Sequence, residues 1–303
     1  MDVMAVTDYF QGFTRKKIDV GNGIIINTLV KGEGKEALLL LHGHPESYLM
    51  WHRTAPALAE DFTVVVTDLR GYGDSSKPRG LPDHSNYSKR EMANDQVEVM
   101  RQLGFNEFHI AGHDRGGRVC HRMMYDHAEK IKSCTLLDII PTIDVYNNAN
   151  QEVATKYWHW FFYIQKEPFP ETFLGNQPEF FIRNNILRKT IDNDAFPEDV
   201  VKEYIRLYSN PDNVHAIAED YRASATIDWA LDMPDRHKKI DIPIHTLWGS
   251  DGNICKIWDV VDIWSNLANN VTGLGVEQCG HFIPEEKPQI TIDEIRKHVL
   301  NNS

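Results

Sequence analysis

A chain of 303 residues, 42% hydrophobic and 25% charged, has the composition of a soluble globular protein, long enough to bury one large core plus an inserted unit. Its formal charge of -12 argues against nucleic acid or an anionic membrane as a partner, since both demand a basic face. Met1–Met4 open no basic and apolar leader, no apolar run reaches the roughly 18 residues of a membrane helix, and Cys120, Cys134, Cys255 and Cys279 form no C-x-x-C, so a cytoplasmic protein with reduced thiols and no zinc site is expected.

The first strands are expected at Lys17–Val20 and Gly23–Val30, followed by the continuous apolar run Ala37–Leu41, a buried strand by its pattern. That run ends at His42-Gly43-His44-Pro45. A Gly- and Pro-containing loop directly after a buried strand turns backbone N–H groups toward the carboxyl edge of a sheet, where open α/β sheets bind ligands. Phe62–Asp68 is the next strand. Ser88-Lys89-Arg90-Glu91 then reads as a capping box, and Met92, Val99, Met100 and Leu103 form the apolar stripe of a helix that Gly104 stops.

Phe108–Ala111 is a further strand and delivers Gly112-His113-Asp114-Arg115-Gly116. Small residues two positions to either side of Asp114 fit the sharp strand-to-helix turn G-x-Nuc-x-G, with aspartate where hydrolases usually carry serine. A carboxylate there suits displacement at an sp³ carbon bearing a leaving group and leaves an ester for water to cleave. The plain alternative is an aspartate capping the next helix. Ile131–Asp138 follows, and the alternation of strand and helix implies an α/β fold with a mostly parallel sheet flanked by helices.

From Pro141 the rhythm breaks into helical stretches, Asn150–Lys166, Pro178–Leu187, Pro197–Tyr208 and Pro211–Ala223, which read as an all-helical cap over the strand ends. The expected division is core at 1–141, cap at 142–226 and the second part of the core at 227–303. In that second part, Ile242–Trp248 and Val271–Gln278 are strands and Pro288–Leu300 is the closing helix. His281 lies after the last strand, placed to reach the elbow and activate water. Asp138, at one strand end, and Asp251, at another, are rival partners for its ring N–H, and sequence position does not separate them.

Together His42-Gly43-x-Pro45, His113-Asp114-Arg115-Gly116-Gly117-Arg118, Leu137-Asp138-Ile139, Tyr157-Trp158-His159-Trp160-Phe161 and Gly280-His281-Phe282 resemble the fluoroacetate (haloacetate) dehalogenases of the α/β-hydrolase fold. The resemblance implies Asp114 as nucleophile, His281 as base and Asp138 as the acid orienting it. It further implies Arg115 and Arg118 on the substrate carboxylate, His159, Trp160 and Tyr221 on the halide, and the backbone N–H groups of His44 and Arg115 as oxyanion hole. A short anionic 2-haloacid as substrate, a homodimer, and neither cofactor nor metal are implied as well. Guanidinium forks match carboxylates and stay charged when desolvated, which fits the two arginines independently. The chain departs from the resemblance at His44, where the family usually has Phe, and at Asp251, where it requires no carboxylate. Epoxide hydrolysis by the same ester chemistry would need two cap tyrosines as donors, and a non-catalytic receptor would give no reason for two arginines beside Asp114.

Overall fold

The structure, a computed structural model, describes residues 9–303. The expectation for Met1–Met4 lies outside the described residues. Among the described residues, β1 (Thr14–Asp19), β2 (Ile25–Lys31), β3 (Ala37–Leu41), β4 (Thr63–Thr67), β5 (Phe108–His113), β6 (Ile131–Leu137), β7 (Ile244–Gly249) and β8 (Val271–Val276) form one sheet. Their order is β1-β2-β4-β3-β5-β6-β7-β8. The β1/β2 and β2/β4 pairs are antiparallel, and every pair from β4 to β8 is parallel.

Every residue of β3, β4 and β5 is buried. Strands covered on both faces need no polar alternation, which is why they read as plain apolar runs. β1 is different: only Ile18 is buried, and the lysines beside it keep an edge strand from pairing with another chain. The helix Lys89–Gln102 begins at Ser88, whose Oγ accepts from Glu91 N at 3.2 Å. Only half of the expected capping box forms, because Ser88 N donates to Ser85 O rather than to the Glu91 carboxylate.

Between β6 and β7 the chain is helical from Thr142–Asn147 to Ile227–Asp235. The expected single helix over 150–166 is two, Gln151–Lys156 and Trp158–Tyr163, broken at Tyr157. Tyr157 and His159 both line one cavity, yet residues two apart project from nearly opposite sides of a continuous helix, so a break is required. The helix Phe169–Asn176 was not anticipated from the sequence. The helix Ile227–Asp235, read in sequence as the start of the second core part, packs on Thr142–Asn147, and its Asp228 accepts the Lys89 N–H at 2.7 Å. No helix among the described residues is long and apolar enough to cross a membrane.

Candidate active site

Asp114 stands between β5 and the helix Arg115–Asp126 with φ 41° and ψ -109°, a backbone region that non-glycine residues seldom occupy. Its side chain makes no capping hydrogen bond, so capping does not account for an aspartate here. A Cβ on Gly116 would come within 2.5 Å of Leu41 O, and one on Gly112 within 2.6 Å of Gly116 C. The small residues of the elbow therefore serve the close approach of the helix start to β3 and β5.

The Asp114 Oδ2 accepts from the His44 N–H at 3.3 Å. The Arg115 N–H, first in its helix, has no hydrogen-bond partner among the described residues. Of the two backbone N–H groups, that of His44 is thus turned onto the Asp114 carboxylate and that of Arg115 is free beside it. His281 Nε2 lies 3.9 Å from Asp114 Oδ2, and its Nδ1 is 2.5 Å from Asp138 Oδ2. The other oxygen of Asp138 accepts from Gly249 N at 3.2 Å. Asp251 is exposed and forms no ion pair or hydrogen bond with His281, so of the two strand-end carboxylates Asp138 meets the imidazole.

Burial opposes charge on Asp114, but His281 and, further, Arg118 outweigh it and hold the carboxyl well below its ordinary range. Burial likewise opposes the His281 imidazolium, yet its contacts with Asp114 and Asp138 prevail and raise it to about 9. His44 and His159 are pushed well below the usual histidine value, by burial first and by the charge of Lys189 next, so both rings stay neutral. The His44 Nε2 is shared between the hydroxyls of Tyr208 and Tyr163, the latter at 3.1 Å.

The two arginines are not equivalent. Arg118 donates Nη1 to Ile140 O at 2.8 Å and to Thr142 Oγ1 at 3.2 Å, and stacks over Trp160 at 4.4 Å. Its Nε has no hydrogen-bond partner and faces Asp114 at 3.9 Å. Arg115 departs from the expected free fork: Nε and Nη2 each meet an Asp220 carboxylate oxygen at 2.7 Å, and only Nη1 is unpartnered. Asp220 is also bonded by Lys89 Nζ and by the Tyr72 hydroxyl at 2.6 Å. The Arg115 guanidinium lies over the Tyr221 ring at 4.2 Å, so Asp220 fixes Tyr221 through Arg115.

Tyr221 stacks on Tyr163 at 4.6 Å and sits edge-on to Trp160 at 5.8 Å, with its own hydroxyl unpartnered. His159 and Trp160 join Asp114, Asp138 and His281 in lining a cavity of about 70 Å³. That is room for a few water-sized groups. Four buried polar atoms with no partner, Arg115 Nη1, Arg118 Nε, Tyr221 Oη and His281 Nε2, belong to residues gathered on Asp114 and its flanks. A buried polar group without a protein partner is a place where a ligand or an ordered water can complete the bond.

Sequence reasoning missed Asp220 and Lys89, whose pairing with Arg115 links positions far apart in the chain. It also missed Glu286, which accepts backbone N–H bonds from Ile191 at 2.8 Å and Gly280 at 3.1 Å on one oxygen and from Phe282 at 3.1 Å on the other. This carboxylate ties the cap to the loop that carries His281. Among the described residues one cluster of metal-ligand types, Glu167, Glu171 and His215, brings its ligand atoms within 4.8 Å. It does not fit a cation: the Gly80 N–H donates to His215 Nε2, leaving the proton on Nδ1, and Arg222 already supplies Glu171 with a charge at 2.7 Å.

The profile of the alpha/beta hydrolase fold family matches residues 36–288. A fluoroacetate dehalogenase from Burkholderia sp is 42% identical over 95% of this chain and 94% of that protein. A soluble epoxide hydrolase from Corynebacterium sp is 33% identical over 91% of this chain and 94% of its own length. Among solved structures, a protein of Nostoc sp PCC 7120 superposes with a TM-score of 0.93 at 47% identity, over 96% of this chain and 99% of that one.

Proposed function

Because the chain belongs to the alpha/beta hydrolase fold family, a scaffold on which the elbow residue sets the chemistry, we propose that it is a haloacetate dehalogenase, converting a short 2-haloacid and water to the 2-hydroxy acid and halide. The observation that carries this reading is the set of unpartnered donors around the Asp114 carboxylate. Arg118, with Arg115 behind it, offers a carboxylate site beside the nucleophile. Tyr221, His159 and Trp160 offer donors for the leaving halide on the cap side. In the first half-reaction an Asp114 oxygen attacks the α-carbon, the carbon–halogen bond breaks, and the halide departs with the electron pair. In the second, His281 takes a proton from water, the hydroxide attacks the Asp114 carboxyl carbon, and the N–H groups of His44 and Arg115 hold the oxyanion until the hydroxy acid leaves.

The high pKa of His281 fits this order. In the resting enzyme the imidazolium is held by two carboxylates; once Asp114 is an ester, one of those anions is gone and the ring gives up its proton more readily. Ester hydrolysis is therefore expected to rise with pH through a value below the resting enzyme's 9 or so, since only the neutral ring is a base. Displacement should persist several units lower, because Asp114 stays ionised. Stopped-flow halide release and product formation, measured separately from pH 5 to 10 or so, check this; identical profiles for the two steps would count against it.

The Asp138 assignment has its own test. Asp138→Asn is expected to slow ester hydrolysis by about a hundredfold or more, whereas Asp251→Asn should stay within about twofold of the parent. Glycolate formation from chloroacetate reads both, and the reverse ranking would move the acid to Asp251. Epoxide hydrolysis is the competing reading: the hydroxyls of Tyr163 and Tyr208 are engaged with His44 while that of Tyr221 is free, and a neutral epoxide would give Arg118 no carboxylate besides Asp114 to hold. Chloride release from chloroacetate, set beside diol formation from a small terminal epoxide, separates the two.

A further inference from the structure

Lys189 lies just beyond the helix Pro178–Leu187 and lines the inner cavity together with Asp114, His159 and His281. A second cavity of about 220 Å³ opens on its outer side, walled by Trp158, Phe180, Phe181 and Asn184, and the two share Lys156, His159, Arg188, Lys189 and Asn253. Lys189 thus stands where an outer vestibule meets the chamber of the nucleophile. Among the described residues its ammonium meets no carboxylate within 4.0 Å and makes no hydrogen bond, unlike Lys156, which is paired with Glu152 at 2.6 Å. Its backbone is fixed: Lys189 O accepts the His281 N–H at 2.9 Å, and Glu286 holds the next turn of chain through Ile191 N.

A charge count shows what this ammonium does. Asp114 is offset by Arg118, Asp138 by the His281 imidazolium, and Asp220 with Asp228 by Arg115 with Lys89. On the exposed rim Asp251 and Arg188 oppose each other. Lys156, on the shared wall, is taken up by Glu152, so these charges balance without Lys189, on which the Glu46 carboxylate also bears, and a substrate carboxylate entering beside Asp114 would add a net negative charge to the chamber. Lys189 cancels it. Burial lowers the Lys189 pKa while Asp114 raises it, and the ammonium's charge is felt by His44, His159 and His281, which places its field on the chamber rather than on bulk solvent.

We propose that Lys189 is a substrate-recruiting residue, the cap's own cation, which draws a short monocarboxylate from the vestibule into the chamber and selects it over neutral molecules. This rests on the dehalogenase reading for its substrate but not for its measurement. In Lys189→Met the KM for chloroacetate is expected to rise about tenfold with kcat within about twofold, and the fall of kcat/KM with added salt should flatten, as follows when a steering charge is lost. Lys189→Arg should stay near the parent. Glycolate has no leaving group, so its affinity, measured by calorimetry, tests recruitment apart from chemistry: about tenfold weaker binding to Lys189→Met is expected. Equal glycolate affinity in parent and variant, or no glycolate binding to the parent at all, would overturn the proposal. So would a loss confined to kcat, which would mean that Lys189 acts on His281 instead. If glycolate binding weakens as expected but the parent releases no halide from chloroacetate, recruitment stands and the dehalogenase reading falls.

Discussion

His281→Asn mixed with chloroacetate is expected to release about one chloride per active site and then nearly stop, while its mass rises by one carboxymethyl group. The two half-reactions draw on different residues. Displacement needs an ionised Asp114, and Arg118 Nε at 3.9 Å remains to favour that charge after the imidazole is removed. Hydrolysis needs a base, and losing one typically costs about 10²–10⁴ in rate. Asparagine keeps a donor for Asp138, so the loop held by Lys189 O and Glu286 should retain its place. Asp114→Asn should show neither the burst nor the added mass.

The second large effect separates the arginines. Arg118→Lys is expected to lower kcat/KM for chloroacetate roughly 10- to 100-fold, the worth of one charge-assisted hydrogen bond at about 1.5–3 kcal/mol. An ammonium can replace the bond to Ile140 O, but it lacks the plane that lies over Trp160 and the Nε that faces the nucleophile. Arg115→Lys should instead show mainly as lost stability. Arg115 is fully buried with two bonds to the Asp220 carboxylate, and an ammonium keeps the charge but not the paired fork, so a loss of about 1.5–3 kcal/mol is expected, the worth of one such bond, with Lys89 still reaching Asp220. Urea midpoints and steady-state kinetics on both variants decide the matter. An Arg118→Lys enzyme with parental kcat/KM would remove the carboxylate site from Arg118.

What the sequence made legible was local. β3 and β5 announce themselves as apolar runs because both faces are covered, and Asp114 because its turn demands small residues at fixed spacing. His281 could be placed because the parallel strands β5 to β8 all end on the sheet edge that carries the elbow. Asp138 and Asp251 could not be told apart, since each follows the end of one of two neighbouring strands, β6 and β7. The choice depends on how the loop after β8 lays the imidazole over the sheet edge, which is a three-dimensional fact. Asp220, Lys89 and Glu286 carried no signal for a similar reason: each acts through partners distant in sequence, and nothing in their neighbours requires a carboxylate or an ammonium there. The break at Tyr157 was hidden because the aromatic run around it suits a continuous helix, and only the cavity that Tyr157 and His159 share explains why the helix is interrupted.

Peptide mapping of His281→Asn after chloroacetate treatment tests the covalent route most directly. The carboxymethyl group should be found on Asp114, as an ester that alkali removes. Its appearance on Cys279 or another thiol would mean simple alkylation, and steady chloride release with no adduct anywhere would mean that water attacks the carbon directly; either result would contradict Asp114 as the nucleophile.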